Sequence, residues 1–390
     1  MLETRSIHII HVVCKGFAGG GLENGIINVT NGLSPGRFRV SICALDSQET
    51  FSERVQLPDS AYYLLPKREG IEWLLIYRLA RLFRRARVDV VHSHNWGTFL
   101  YSVLAAGLAG VPIIHGEHGK NLNELNEINR PKSWAKRILG RRVDRLVTVS
   151  QAIATEWAGY GVPRKKIEWI PNGVDVARFQ PRMDRAELRR SFGLPEHGFL
   201  IGTVGRFDPI KNYEVLIEAF ARLAPRFPES ALAFLGDGPR GPNLRSLATT
   251  LGVEDRVFWP GRRPDPHNFL PALDIFVLPS LSEGMSNVVL EAMASGLPVV
   301  CADLPAHREV FEPGSEGVVV SPCDAQSLSD ALAVLVADPE RRCALGTAAR
   351  RRVLARFNLQ RMVSDYERLY ASYAQPERIE AAVPAGAERG

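Results

Sequence analysis

The sequence predicts an α/β chain of two Rossmann-like domains facing across a cleft, and three observations predict it. Short all-apolar runs alternate with helical ones along the 390 residues, the pattern of parallel sheets covered on both faces. The alternation occurs twice, once on each side of a turn-rich segment, Ile170-Pro171-Asn172-Gly173-Val174-Asp175. The length exceeds one ordinary core and suits two large domains.

The strands expected in the first half are 7–14, 39–45, 88–92, 112–117 and 145–150. Those in the second half are 200–204, 231–235, 256–259, 274–278 and 298–301. Helical patterns such as Tyr213–Leu223 and Asn287–Ala294 lie between them. This divides the chain into a first domain 1–173, a second domain 174–355, a last helix 356–375, and a tail 376–390. The tail is rich in Ala, Glu, Pro and Gly and is expected to be disordered. Sheets of this kind bind ligands at the carboxyl ends of their strands, so the site is expected in the cleft.

Hydrophobic residues make up 45% of the chain and charged residues 23%, the balance of a soluble enzyme. No apolar run is long enough to span a bilayer, and the chain enters its first strand without a signal-peptide pattern. Cys14, Cys43, Cys301, Cys323 and Cys343 are scattered and form no CxxC pair. Reduced thiols in a cytoplasm fit this better than disulfides or a zinc site. The first half is the basic one. Residues 1–175 carry 23 Lys+Arg against 16 Asp+Glu, and residues 176–390 carry 25 against 27, or +7 and −2. No nucleic-acid partner is expected.

The chemistry lies in the loops after strands. In "IGTVGRFDPIKNYEVLIEAF" Gly205 lets the chain turn, and Arg206 and Lys211 flank the loop that follows. A forked guanidinium and a compact ammonium at a strand's carboxyl end suit a diphosphate. In "LPSLSEGMSNVVLEAMASGLPVV" a helix is expected from Ser286 or Asn287, its free N–H groups favouring an anion. Glu283 precedes that helix and Glu291 lies on its second turn, roughly 10 Å away at helical rise. That separation suits the two ends of a long ligand with phosphates between them. In "VVCKGFAGGGLENGI" a glycine run follows the first strand, with Asn24 where the dinucleotide fingerprint wants Gly or Ala. Backbone can still approach a phosphate or sugar there. "VHSHN" and "HGEHG" place His92, His94 and His118 at strand ends. A three-histidine metal site is one reading, and histidines that orient backbone are the one preferred for His92 and His94. The chain contains no Asp-x-Asp, the pair that usually holds Mg²⁺ or Mn²⁺ on a sugar nucleotide. No metal and no cofactor are therefore expected, and Arg206, Lys211 and helix dipoles are left to neutralise the phosphates.

"GRFDPIKN", "SEGMSNVVLEAMASGLPVV", "LVTVSQAI" and "IPNGVD" together resemble the retaining glycosyltransferases of family four, which have the GT-B fold. Glu283 and Glu291 match that family's E-x7-E spacing, and the resemblance covers nearly the whole chain. "GEHGKNLNELNEIN" is similar to bacterial sugar transferases of exopolysaccharide clusters. The resemblance implies an acceptor-side first domain and a second domain that binds a UDP- or GDP-sugar as donor. It implies that Arg206 and Lys211 bind the diphosphate, that Glu291 meets the ribose, and that Glu283 meets the donor sugar. Asn287 and Val288 would offer backbone contacts, His118 would stand beside the donor sugar, and Gly20 and Gly21 would close on the phosphates. The last helix would cross back onto the first domain. Pro305 and Ala306 depart from the glycine pair of many relatives, which puts the local loop shape in question. A sugar-nucleotide epimerase and a non-catalytic sugar-nucleotide sensor are the alternatives.

The acceptor would be a sugar or a lipid-linked glycan, and peripheral contact with anionic membrane is a further expectation. "WLLIYRLARLFRRAR" reads as a helix with Arg78, Arg81 and Arg85 on one side. Trp134, Lys136, Arg137, Arg141 and Arg142 form a second basic segment. With Leu75, Leu79 and Leu82 in the core, the contact is expected to be electrostatic rather than inserted. The alternative is an ordinary solvated helix face.

Overall fold

The computed structural model describes residues 5–14, 20–46, 54–68, 70–119 and 130–373. The tail 376–390, Gly19 and most of the segment after "GEHG" lie outside the described residues. Seven parallel strands form the first sheet: β1 Ile7–Val13, β2 Phe38–Ala44, β3 Ala61–Leu64, β4 Val90–His94, β5 Ile113–Glu117, β6 Arg145–Thr148 and β7 Ile167–Trp169. Six form the second: β8 Phe199–Val204, β9 Ser230–Leu235, β10 Val257–Gly261, β11 Ile275–Leu278, β12 Val299–Ala302 and β13 Val318–Val320. Their orders are β3-β2-β1-β4-β5-β6-β7 and β10-β9-β8-β11-β12-β13. Both orders reverse direction once, between β1 and β4 and between β8 and β11. Such reversals open a crevice at the strands' carboxyl ends.

Three strands were not foreseen: β3, β7 and β13. Each lies at a sheet edge, and they run to four, three and three residues. An edge strand is covered incompletely, and most of these residues are only half-buried. Runs of three or four residues are also too short to be told from a turn by their pattern. The interior strands β1, β4, β5, β8, β9, β11 and β12 are buried almost throughout.

On one face of the first sheet, helices Trp73–Arg85 and Asn95–Ala109 bury Leu75, Leu79, Phe83 and Phe99. On the other face, helix Gly21–Gly32 buries Ile26, Ile27 and Val29 beside Met362, Tyr366, Leu369 and Tyr370. These last four belong to the final helix, Leu359–Ala371, which lies on the first domain although it follows the second. The Glu367 carboxylate accepts from both the backbone N–H and the hydroxyl of Ser34, each at 2.7 Å. The two passages between domains run side by side: Val174 N–H donates to Phe357 C=O at 2.9 Å, and Leu359 N–H to Val174 C=O at 3.0 Å.

Candidate functional site

The loops after β8 and β11 meet at the reversal of the second sheet. After β8 come Gly205, Arg206 and Lys211, and after β11 comes Glu283. Lys211 Nζ donates to Glu283 Oε1 at 2.7 Å, and Ser280 Oγ donates to the same oxygen at 2.7 Å. Burial raises the Glu283 carboxyl, but the Lys211 charge and the hydrogen bonds outweigh it and hold the group below its usual range. Burial likewise disfavours the Lys211 ammonium, and the Glu283 carboxylate wins, so Lys211 titrates above its ordinary value. Both are therefore ionised at neutral pH. Arg206 behaves differently. Its side chain is 72% exposed and its acid partner among the described residues is Asp208, two residues on. Gly205 closes the turn, its N–H donating to Leu235 C=O at 3.0 Å.

Two helices point their N-termini at each other across the cleft. Helix Asn287–Ala294 starts after Ser286, and helix Gly21–Gly32 starts after Gly20. Neither start carries a side-chain cap, so first-turn N–H groups are left for another partner. Asn287 Nδ2 donates to Gly21 C=O at 2.8 Å and joins the two starts. A Cβ on Gly21 would stand 3.3 Å from that nitrogen, a tight contact that Asn287 would have to yield to by a few tenths of an ångström. Val288, second in its helix, is half-buried beside it. The domains also touch backbone to backbone. A Cβ on Gly284 would fall 2.0 Å from the carbonyl oxygen of His118, so only glycine fits against that strand end. Elsewhere Glu309 of the second domain accepts from Gln151 and Ala152 N–H, at 2.7 and 2.9 Å, at the start of helix Gln151–Gly159. That is a carboxylate on a helix N-terminus, the interaction proposed for the phosphates.

Glu291 lines a recess between the domains that Asn287 also lines, with Asn24, Arg54, Asn172, Asp175 and Arg178. Burial pushes its carboxyl up to about 8, against the pull of Arg178. The two glutamates thus differ in kind: Glu283 is an ion tied to Lys211, and Glu291 is a protonated acid at neutral pH. Their spacing in sequence revealed neither property.

His118 is the outermost of a chain of rings. His11 on β1 pairs in register with His92 on β4, and His94 on β4 pairs with Gly116 on β5. Paired residues, and residues two apart, share a face, so His11, His92, His94 and Gly116 face the last helix together. Gly116 leaves room there. A Cβ at Gly116 would lie 2.9 Å from His118 Nε2 and 3.1 Å from both His92 Nε2 and His94 Nδ1. His11 Nδ1 is 2.9 Å from His94 Nε2, and His94 Nδ1 is 3.0 Å from His118 Nε2. His92 Nδ1 is 2.8 Å from the Tyr370 hydroxyl. Burial depresses all four, His11 to about 3 and His118 to about 4, so the rings are neutral. A neutral imidazole has one N–H and one lone pair. If His94 donates to His118, it must accept from His11, and the reverse holds too. His11, His92 and His94 offer nitrogens within 4.8 Å of one another, close enough to share an ion, although the hydrogen bond between His11 and His94 already occupies two of them.

Sequence reasoning named His92, His94 and His118 separately and did not include His11, which sits mid-strand among apolar residues. Asn95 also escaped it. Its Oδ1 accepts from His118 N–H at 3.0 Å and its φ is +57°. The signal was available: an asparagine directly after a strand is a residue suited to left-handed backbone. Lys136, grouped with the surface cations, instead lies over the rings of Trp157 and Tyr160 at 5.0 and 5.3 Å, which removes it from the basic surface.

The comparisons with known proteins bear on the family and the fold. Residues 19–178 match the family model for Glycosyltransferase Family 4, and residues 184–352 match that for glycosyl transferases group 1. A D-inositol 3-phosphate glycosyltransferase of Thermobispora bispora is 32% identical over 80% of this chain and 76% of its own. An Escherichia coli UDP-Gal:alpha-D-GlcNAc-diphosphoundecaprenol alpha-1,3-galactosyltransferase is 29% identical over 75% of this chain and 77% of its own. The crystal structure of Anabaena HepE in complex with UDP and glucose superposes with a TM-score of 0.82 at 20% identity, covering 94% of this chain and all of that one. Sucrose-phosphate synthase from Thermosynechococcus elongatus gives 0.79 at 21% identity, covering 94% of this chain and 98% of that one.

Proposed function

This chain belongs to glycosyltransferase family 4, with the GT-B fold, and transfers a sugar from a nucleotide sugar; we propose that the donor is a UDP- or GDP-hexose and that the acceptor is a lipid-linked glycan of surface or exopolysaccharide synthesis. The observation that carries the reading is the pair of uncapped helix starts joined by Asn287 and Gly21, with Lys211 and Arg206 beside them. Two helix N-termini and two cations are a complete set of partners for a diphosphate, with no need of a metal ion. In this reading Lys211 and Arg206 take up the charge that develops on the leaving diphosphate. Glu291 in its protonated form offers an O–H to a ribose hydroxyl. His118, neutral, offers a hydrogen bond to the donor sugar without adding charge. The acceptor's proton passes to the leaving phosphate on the same face of the sugar, so the configuration is retained and no enzymic base is required.

The acceptor named for the Escherichia coli relative is carried on a lipid diphosphate, and that named for the Thermobispora relative is an inositol phosphate. These two classes define the acceptor panel. UDP- and GDP-hexoses are offered with each acceptor class, with and without EDTA, and released nucleotide and product anomer are measured. The expected outcome is transfer to the lipid-linked acceptor, undiminished by EDTA, with the donor's anomeric configuration kept. Loss of transfer on chelation with rescue by Mg²⁺, or an inverted product, overturns the mechanism. Transfer to inositol phosphate alone overturns the acceptor.

A further inference from the structure

The first domain has an outer face whose chemistry the cleft does not use. Helix Trp73–Arg85 buries Leu75, Ile76, Leu79, Ala80 and Phe83. At 3.6 residues per turn the opposite side of its first turns carries Trp73, Leu74 and Tyr77. These side chains are 66%, 64% and 63% exposed, with Ile71 at 62% just before the helix and Leu108 at 54% on the neighbouring helix. They account for half of the large hydrophobic residues exposed among the described residues. Scattered exposed apolar side chains are ordinary, but five gathered at one helix pair are not. A groove of about 500 Å³ runs between the two helices, lined by Trp73, Ile76, Leu104 and Leu108, with Arg142 and Asp144 at its rim.

The same helix turns from apolar to basic along its outer face. Its last turns carry Arg81, Arg84 and Arg85, all exposed, and the helix contains no acidic residue. Arg84 reaches across to the carbonyl of Leu108 and joins the basic end to the apolar one. Glu72, half-buried before the helix, lies 3.6 Å from Arg78, and the Asp144 carboxylate accepts from Ile113 N–H at 2.8 Å. Trp and Tyr at an apolar edge bordered by arginine is the composition that suits the boundary between acyl chains and headgroups.

We propose that this face docks the enzyme on an anionic lipid surface, with Trp73, Leu74, Tyr77, Ile71 and Leu108 entering the headgroup layer and Arg81, Arg84 and Arg85 pairing with lipid phosphates. Apolar residues therefore share the work with charge, a correction to the purely electrostatic contact expected from sequence. Leu75 and Leu79 are buried as foreseen, and the exposed apolar residues are others on the same helix. The charge complementarity selects lipid over a second copy of the chain, because the same helix on a second copy carries no acidic residue to pair with these arginines. The geometry also places the cleft within reach of the bilayer. Helix Asn95–Ala109 begins at the residue that holds His118 and carries Leu108 on this face, about 20 Å further along at helical rise. The inference goes beyond the donor chemistry proposed above and is read out without it.

The test is co-sedimentation of the full chain with vesicles of phosphatidylcholine alone and of phosphatidylcholine with phosphatidylglycerol. Binding to the anionic vesicles is expected, weakening as salt rises but persisting in part because apolar side chains contribute. Trp73→Ser with Leu74→Ser and Tyr77→Ser should lower the partition coefficient by about tenfold or more at every salt concentration. Arg81→Gln with Arg84→Gln and Arg85→Gln should abolish the preference for anionic lipid. Both variants should melt and release nucleotide from a sugar donor as the wild type does. Absence of binding to anionic vesicles at low salt overturns the proposal, as does equal binding by the apolar variant. A wild-type dimer in sedimentation velocity that becomes monomeric in the apolar variant would overturn it in favour of a second copy.

Discussion

The two walls of the cleft are built from different chemistry. The second-domain wall is ionic: Lys211 with Glu283, and Arg206 with Asp208. The first-domain wall is neutral: His118 backed by His94 and His11, each held uncharged by burial. A diphosphate needs cations, and those placed at strand ends among the described residues, Lys211 and Arg206, belong to the second domain, while Arg54 of the first domain lines the recess with Glu291. The first domain also supplies hydrogen bonds, a helix start and a close-packed glycine contact. Within the ionic wall there is a second contrast. Lys211 is largely buried and fixed by a carboxylate from another loop, whereas Arg206 is exposed and paired only locally. A preorganised charge in a sheltered site is worth more than a solvated one, so the walls, and the two cations, should respond to mutation unequally.

The largest effect is expected at Lys211. Lys211→Ala removes the buried cation and leaves Glu283 without its counter-charge, so turnover should fall by about 10²–10³. Arg206→Ala should cost less, because water already solvates that guanidinium. Steady-state kinetics with the preferred donor compares them, and an Arg206 variant more damaged than the Lys211 variant would reverse the ranking of the two cations.

A smaller effect tests the neutral wall. His94→Phe removes the partner of His118 Nε2 and of His11 Nδ1 together. Turnover should drop by about tenfold, the value of one hydrogen bond at the reacting sugar, while affinity for the free nucleoside diphosphate stays unchanged. Calorimetry of nucleotide binding beside kinetics separates the two readouts. A loss confined to nucleotide affinity would show that the histidine chain serves the phosphates instead.

The smallest effect concerns Glu291 and needs no substrate. Its carboxyl is raised by burial to about 8 in the folded chain, above the ordinary 4.5. The folded state therefore keeps a proton that the unfolded state gives up above that ordinary value. The stability tied to this proton is fully present at low pH and is lost progressively as pH rises through the window toward 8. Glu291→Gln, neutral at every pH, should flatten the fall in melting temperature across that window. Thermal denaturation of both proteins between about pH 5 and 8 checks it, and parallel curves would mean that Glu291 is already ionised.

Much of this was legible before any coordinates. Interior strands such as β8, β9, β11 and β12 are largely apolar runs, and the helices Tyr213–Leu223 and Asn287–Ala294 start and stop where the residue pattern says. Arg206, Lys211 and Glu283 stood out as charged residues in loops after buried strands, and Asn287 and Glu291 as polar positions on the helix that follows, their proposed roles coming from the family resemblance. The edge strands β3, β7 and β13 could not be read, since runs of three or four residues are too short to mark a strand by pattern.

What only the tertiary structure decided is which named residues touch, and in what charge state. Lys211 and Glu283 are 72 positions apart and meet at 2.7 Å because β8 and β11 are neighbours in the sheet. Asn287 and Gly21 are 266 positions apart and meet because the domains close on each other. His11, His94 and His118 form one chain because β1 pairs with β4, β4 pairs with β5, and Gly116 leaves the rings room. Sequence determines the local conformation and the kinds of side chain at each strand end. Burial and partner choice, which set whether Glu291 holds its proton and Glu283 does not, depend on contacts between distant segments and exist only once the chain has folded.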